Sequence, residues 1–182
     1  MQLFVRNKGF VKVYGMKSEK EFINTLKLFC KEVGVPKAFI VDRAQAQTSK
    51  KVQHFLGQVG TTLRVLEGES QHADRAELYT GLMKSAVGKD MREANSPMRL
   101  WCYACERRAS IMTLTANNLF QLEGQNPYMA TLGKMGDISN LCRFKSYEWV
   151  YFRQNTAVWP YQSEELGQCL GPTKNEGNEM CQ

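Results

Sequence analysis

The sequence predicts an α/β fold, a mixed sheet flanked by helices with a small β-rich C-terminal appendage, and three observations carry that prediction. A β-hairpin pattern opens the chain, a continuous apolar run follows an amphipathic helix, and two long helical patterns then stand side by side. At 182 residues one substantial core is within reach, and 43% hydrophobic and 23% charged residues are ordinary globular values, which excludes a disordered or fibrous chain.

The elements follow in order. Leu3-Phe4-Val5 and Phe10-Val11-Lys12-Val13-Tyr14 flank Arg6-Asn7-Lys8-Gly9, a polar connection whose glycine can take a positive φ, so the chain begins inside a sheet. From Ser18 onward Phe22, Leu26, Phe29, Cys30 and Val33 recur at helical spacing, and Gly34 with Pro36 supplies the stop. Ala38-Phe39-Ile40-Val41 predicts a strand buried on both faces and ending on Asp42. Ser49 is placed to cap a short helix through Phe55, and Thr61-Thr62-Leu63-Arg64-Val65-Leu66 alternates as a half-buried strand. Residues 67 to 73 read as a mobile loop before a helix from 74 to about 92, packed through Leu78, Leu82, Met83, Ala86 and Val87. Ser96-Pro97 opens a further helix to about 117, with Leu100, Trp101, Ala104, Ile111 and Met112 apolar. Past Asn126-Pro127, residues 144 to 152 alternate and glycines break the remainder into short pieces. The division is a unit over 1–136 and a β-rich appendage over 137–182.

The net charge of +6 hides an asymmetry. Residues 1–163 carry 23 Lys and Arg against 14 Asp and Glu, and residues 164–182 carry one against four, so the body is +9 and the tail −3. A basic body suits a polyanion such as nucleic acid. Six cysteines scattered through a chain with no signal-peptide pattern read as reduced intracellular thiols, without a disulfide framework. Apolar stretches such as 35 to 41 are too short to cross a bilayer, so no membrane is expected.

Two acids stand where chemistry is usually placed. Asp42 ends a strand of buried type at its carboxyl edge, where open α/β sheets hold ligands; its other reading is a turn residue. Glu77 lies in the first turn of the next long helix, with Gly81, Lys84 and Gly88 at i+4, i+7 and i+11. That small or basic stripe is suited to a metal and then a phosphate backbone. Asp74-Arg75-Ala76-Glu77 is equally a capping box. Cys102-Tyr103-Ala104-Cys105 sits in a predicted helix without a second ligand pair, which argues against zinc. Tyr147, Trp149, Tyr151 and Trp159 suit either base stacking or a small core, and the core is the expectation.

Asp42 and Glu77 enclose 34 residues, 43 to 76. With this interval the chain resembles the catalytic cores of retroviral and retroelement integrases, whose three acidic residues end with an Asp and a Glu so spaced. Phe39-Ile40-Val41-Asp42, the run from Gly60 through Leu66-Glu67-Gly68, and Ala73-Asp74-Arg75-Ala76-Glu77-Leu78 resemble the copia-type group, as do Asn95-Ser96-Pro97, Arg107-Arg108-Ala109 and Asn126-Pro127-Tyr128. The resemblance implies an RNase H-like fold and DNA integration by metal-dependent strand transfer, with Asp42 and Glu77 as catalytic Mg2+ or Mn2+ ligands. It makes Lys84 and Arg75 phosphate contacts, DNA the partner, self-association into a homo-oligomer an expectation, and the nucleus the place of work. Two departures stand out. The family usually has Asn where this chain has Asp74. Its first catalytic Asp lies on a strand preceding the hairpin, so the expectation is a fragment with the first, central strand missing, probing DNA weakly and inactive alone. A non-catalytic nucleic-acid-binding remnant and an interaction protein remain the alternatives.

Overall fold

The computed structural model describes residues 1–42, 45–66, 75–153 and 164–171. A hairpin of β1 (Gln2–Val5) and β2 (Val11–Tyr14) leads into α1 (Phe22–Val33), then β3 (Ala38–Val41), α2 (Gln45–Thr48), α3 (Lys50–Gln58) and β4 (Thr62–Val65). The long helices α4 (Arg75–Glu93) and α5 (Trp101–Leu114) follow. After them come α6 (Pro127–Leu132), α7 (Ser139–Arg143) and a second hairpin, β5 (Trp149–Arg153) and β6 (Glu164–Gln168).

The first hairpin is covered on both faces because its two apolar sets alternate along the strands. Phe4, Phe10 and Tyr14 join Phe22, Leu26 and Phe29 of α1 and Val52 and Leu56 of α3, with the Phe4 and Phe29 rings stacked at 4.7 Å. Val11 and Val13 on the other face pack on Tyr79, Met83, Val87 and Met91 of α4 and on Cys105 and Ala109 of α5. α1 ends where Gly34 takes φ 99°, its amide donating to the Cys30 carbonyl at 3.1 Å.

Two polar ties fix α5. The buried Thr113 hydroxyl accepts from the Val11 amide at 3.0 Å and donates to the Val11 carbonyl at 2.8 Å, which satisfies backbone on the free side of β2. Arg108 Nε donates to Asp90 Oδ2 at 2.7 Å while Nη2 reaches the other carboxylate oxygen, joining α5 to α4. Arg107 Nη2 donates to the Leu141 and Phe144 carbonyls at 3.0 and 2.9 Å, which fastens the segment around α7 to α5.

The expected single mixed sheet is replaced by three two-stranded sheets among the described residues: β1–β2 antiparallel, β3–β4 parallel and β5–β6 antiparallel. Side chains alone join the first two, through Phe4 and Phe39, whose ring centroids lie 6.1 Å apart. An apolar run predicts that a strand forms; which edge it meets depends on backbone approach, which the run does not encode. β3 is likewise covered on one face only. Val41 is buried and Phe39 half-buried, whereas Ile40 is 56% exposed. α4 buries Met83 and Val87 as expected, together with Tyr79 and Met91, but leaves Leu78 and Leu82 in solvent, so the buried stripe is centred to one side of the expected face. Trp149 and Tyr151 are exposed rather than core, because among the described residues β5 and β6 pair only with each other. Ser49 precedes α3 without a side-chain cap, and its hydroxyl donates instead to the Ala46 carbonyl. The expected loop at 67 to 73, and Asp74 and Trp159, lie outside the described residues.

Candidate functional site

Two parallel strands end together, and Asp42 stands at that end. β3 and β4 run in register from Ala38 opposite Thr62 to Val41 opposite Val65, and the Leu66 amide donates to the Val41 carbonyl at 2.8 Å. The ladder thus holds to the last residue before Asp42, whose side chain is exposed beyond the carboxyl edge. That edge is where α/β sheets expose groups to ligands, since strand backbones there are committed to one another and loops diverge.

Glu77 is exposed in the first turn of α4. The start of this helix lies against the hairpin turn: Arg75 Nη1 donates to the Asn7 carbonyl at 2.9 Å, and the Tyr79 phenol packs on Gly9. Along the stripe that begins at Glu77, Lys84 is exposed, and a methyl group added at Gly81 or Gly88 would meet nothing within 4 Å. The stripe is therefore open to close approach by a large ligand. Its far end borders a crevice of about 460 Å³ between α4 and α5, lined by Lys84, Val87, Met91, Arg92, Trp101 and Cys105 among others.

Asp42 and Glu77 thus come from different elements, the strand end and the helix start, with Lys84 on the same helix as Glu77 and Arg75 turned to the hairpin. Among the described residues no three His, Cys, Asp or Glu side chains gather as a metal cluster. The Cys105 thiol is pushed up by burial and then by Cys102 beside it, so it stays protonated at neutral pH and is a poor ligand. No helix among the described residues is long and apolar enough to cross a membrane. The sequence reading missed Asn7, Gly9 and Tyr79 as the supports of α4. Gly9 in a polar turn was a visible signal, and Tyr79 opens the Tyr79, Met83, Val87 spacing of the buried face.

No family model matches the chain, and no curated protein matches it significantly. Solved structures do, and the fold is similar to that of retroviral integrase catalytic cores. The HTLV-2 integrase catalytic core domain, in a trimeric form in complex with magnesium, superposes with a TM-score of 0.54 at 20% identity. It covers 71% of this chain and 82% of its own. A simian T-cell lymphotropic virus intasome in complex with PP2A regulatory subunit B56 gamma gives 0.57 at 16% identity, over 92% of this chain and 61% of that one.

Proposed function

We propose that residues 1–136 are the greater part of a retroelement integrase core of the copia type, which in complete form is a metal-dependent DNA strand transferase acting in integration in the nucleus. One observation carries the reading: on an integrase-core fold, an exposed Asp ends the parallel strand pair and an exposed Glu opens the long helix that follows. Residues 137–182 are then an appendage to that core.

The donor set fits a hard divalent ion. Asp42 and Glu77 are exposed, and carboxylate oxygens are the ligands that Mg2+ and Mn2+ prefer. Bound there, a pair of such ions would activate a water or a 3′ hydroxyl for in-line attack and neutralise the departing oxygen of a DNA phosphodiester. The chain's own work is placement. Asp42 is held by the last rung of a ladder, Glu77 by a helix packed on the hairpin, and Lys84, two turns along an open stripe, meets the phosphate backbone. A guanidinium carries five N–H donors, so Arg75 can bond the Asn7 carbonyl and also meet a second phosphate.

A third carboxylate is required, and we place it on an RNase H-like central strand between β1 and β3. Those strands share one core without a ladder, and Ile40 and Val65 beside them remain exposed. The second reading, carried by the +9 charge of residues 1–163, is a non-catalytic nucleic-acid-binding or interaction protein. The deciding experiment is DNA nicking and strand transfer with Mg2+ or Mn2+ by the 182-residue chain and by a version extended upstream with an Asp-bearing strand. The extended protein gains activity, Glu77→Gln removes it, and the 182-residue chain has none. Activity that survives Glu77→Gln, or an extended and folded protein with no activity, would sink the strand-transferase reading.

A further inference from the structure

The first turn of α4 is held by contacts that its own sequence does not explain. Helix ends fray, because the first amides have no acceptor within the helix, yet a ligand carboxylate must be fixed to within a fraction of an ångström. Arg75 at the helix start sets a cation against the positive end of the helix dipole, an unfavourable position that calls for a reason outside the helix. The reason is 68 residues away: its Nη1 donates to the Asn7 carbonyl at 2.9 Å. That acceptor is itself fixed, since the Arg6 amide donates to the Phe10 carbonyl at 2.9 Å and the Gly9 amide to the Arg6 carbonyl at 3.0 Å. One turn further along α4, the Tyr79 side chain is buried against the same loop. A Cβ at Gly9 would lie 2.7 Å from the Tyr79 oxygen and 3.0 Å from a Leu119 methyl, and Gly9 sits at φ +74°, so only glycine is accommodated without strain.

We propose that Arg75, with Gly9 and Tyr79, clamps the hairpin turn to the first turn of α4, and that Arg75 is thereby the positioning residue of Glu77. The proposal rests on the reading of Glu77 as a metal ligand. Arg75 acts before DNA arrives: its bond to Asn7 sets the helix start, and the carboxylate two residues on takes its place from that start.

Amide hydrogen exchange and Mn2+ titration of the 182-residue chain, both without DNA, test this. In Arg75→Gln, amides at 79–82 exchange about fivefold faster, the equilibrium weight of one hydrogen bond, while those at 87–91 are unchanged. Mn2+ affinity that depends on Glu77 falls by a similar factor. Arg75→Lys, whose ammonium can also reach the Asn7 carbonyl, restores both. Gly9→Ala gives the same local effect, partly relieved by Tyr79→Phe, which removes the atom the new methyl meets first; if Gly9→Ala does not fold, Arg75→Gln decides. Unchanged exchange at 79–82, or acceleration spread evenly over α4, overturns the clamp. Local acceleration with Glu77-dependent Mn2+ affinity intact overturns the positioning role. Mn2+ binding indifferent to Glu77→Gln instead sinks the metal-ligand reading and the positioning role with it, and the exchange result still decides the clamp.

Discussion

Four buried acids are held in their neutral forms. The Tyr14 phenol is raised well above its ordinary value of 10.0 by burial first and then by its hydrogen bond to Glu32 Oε2 at 2.9 Å. Burial likewise raises the thiols of Cys30, Cys105 and Cys169 above 9.0. Each folded-state value lies above the unfolded one, so the stabilisation is complete below the unfolded value and is lost as pH rises through the folded one. Urea midpoints should therefore hold through neutral pH and fall from about pH 9, where the thiols begin to ionise in the unfolded chain. Tyr14→Phe should cost about 1 kcal/mol at pH 7 and flatten the part of the fall that starts near 10. A midpoint that rises between pH 9 and 11 would contradict the burial of these groups. At this scale residue type and place in the sequence put forward Asp42 and Glu77 as candidates. They could not show that Arg75 turns to the Asn7 carbonyl, because the two are brought together only by packing.

Periodicity is a good guide to whether a helix forms and a poorer one to which stripe it buries. α4 contains Leu78, Leu82, Ala86 and Lys89 on one side and Tyr79, Met83, Val87 and Met91 on the next, only 100° away, and side-chain pattern alone does not choose between them. The choice is made by the hairpin, whose Val11 and Val13 meet the second stripe. Met83→Ala should then cost about 2–5 kcal/mol, whereas Leu78→Gln and Leu82→Gln should each stay within about 0.5 kcal/mol of the parent, measured by urea unfolding. A large cost at Leu78 would show that the first stripe is buried as well. The same limit explains β3: a four-residue apolar run forms a strand, but burial of its second face requires a neighbour that local sequence does not specify.

Across the molecule, charge is arranged as sequence alone indicates, with +9 on residues 1–163 and −3 on residues 164–182. If the basic body meets DNA through phosphates, affinity falls with salt as counterions are released, with a slope of about −0.9 per phosphate in log K against log salt. Lys84→Gln should reduce that slope by roughly one such unit and weaken binding to all sequences alike. A salt-independent curve would exclude electrostatic DNA binding and favour the interaction-protein reading.

What the sequence determined by itself was local: the hairpin, α1 with its stop at Gly34, a strand ending on Asp42, and a long helix that opens beside Glu77. These are written in spacing, in turn residues and in the alternation of apolar positions, all of which act within a dozen residues. The tertiary structure alone decided three things. It split the expected sheet into separate pairs, left Trp149 and Tyr151 in solvent, and joined α4 to the hairpin turn through Arg75. Each depends on which surfaces meet between segments far apart in sequence, and burial energy selects those meetings from the whole chain at once.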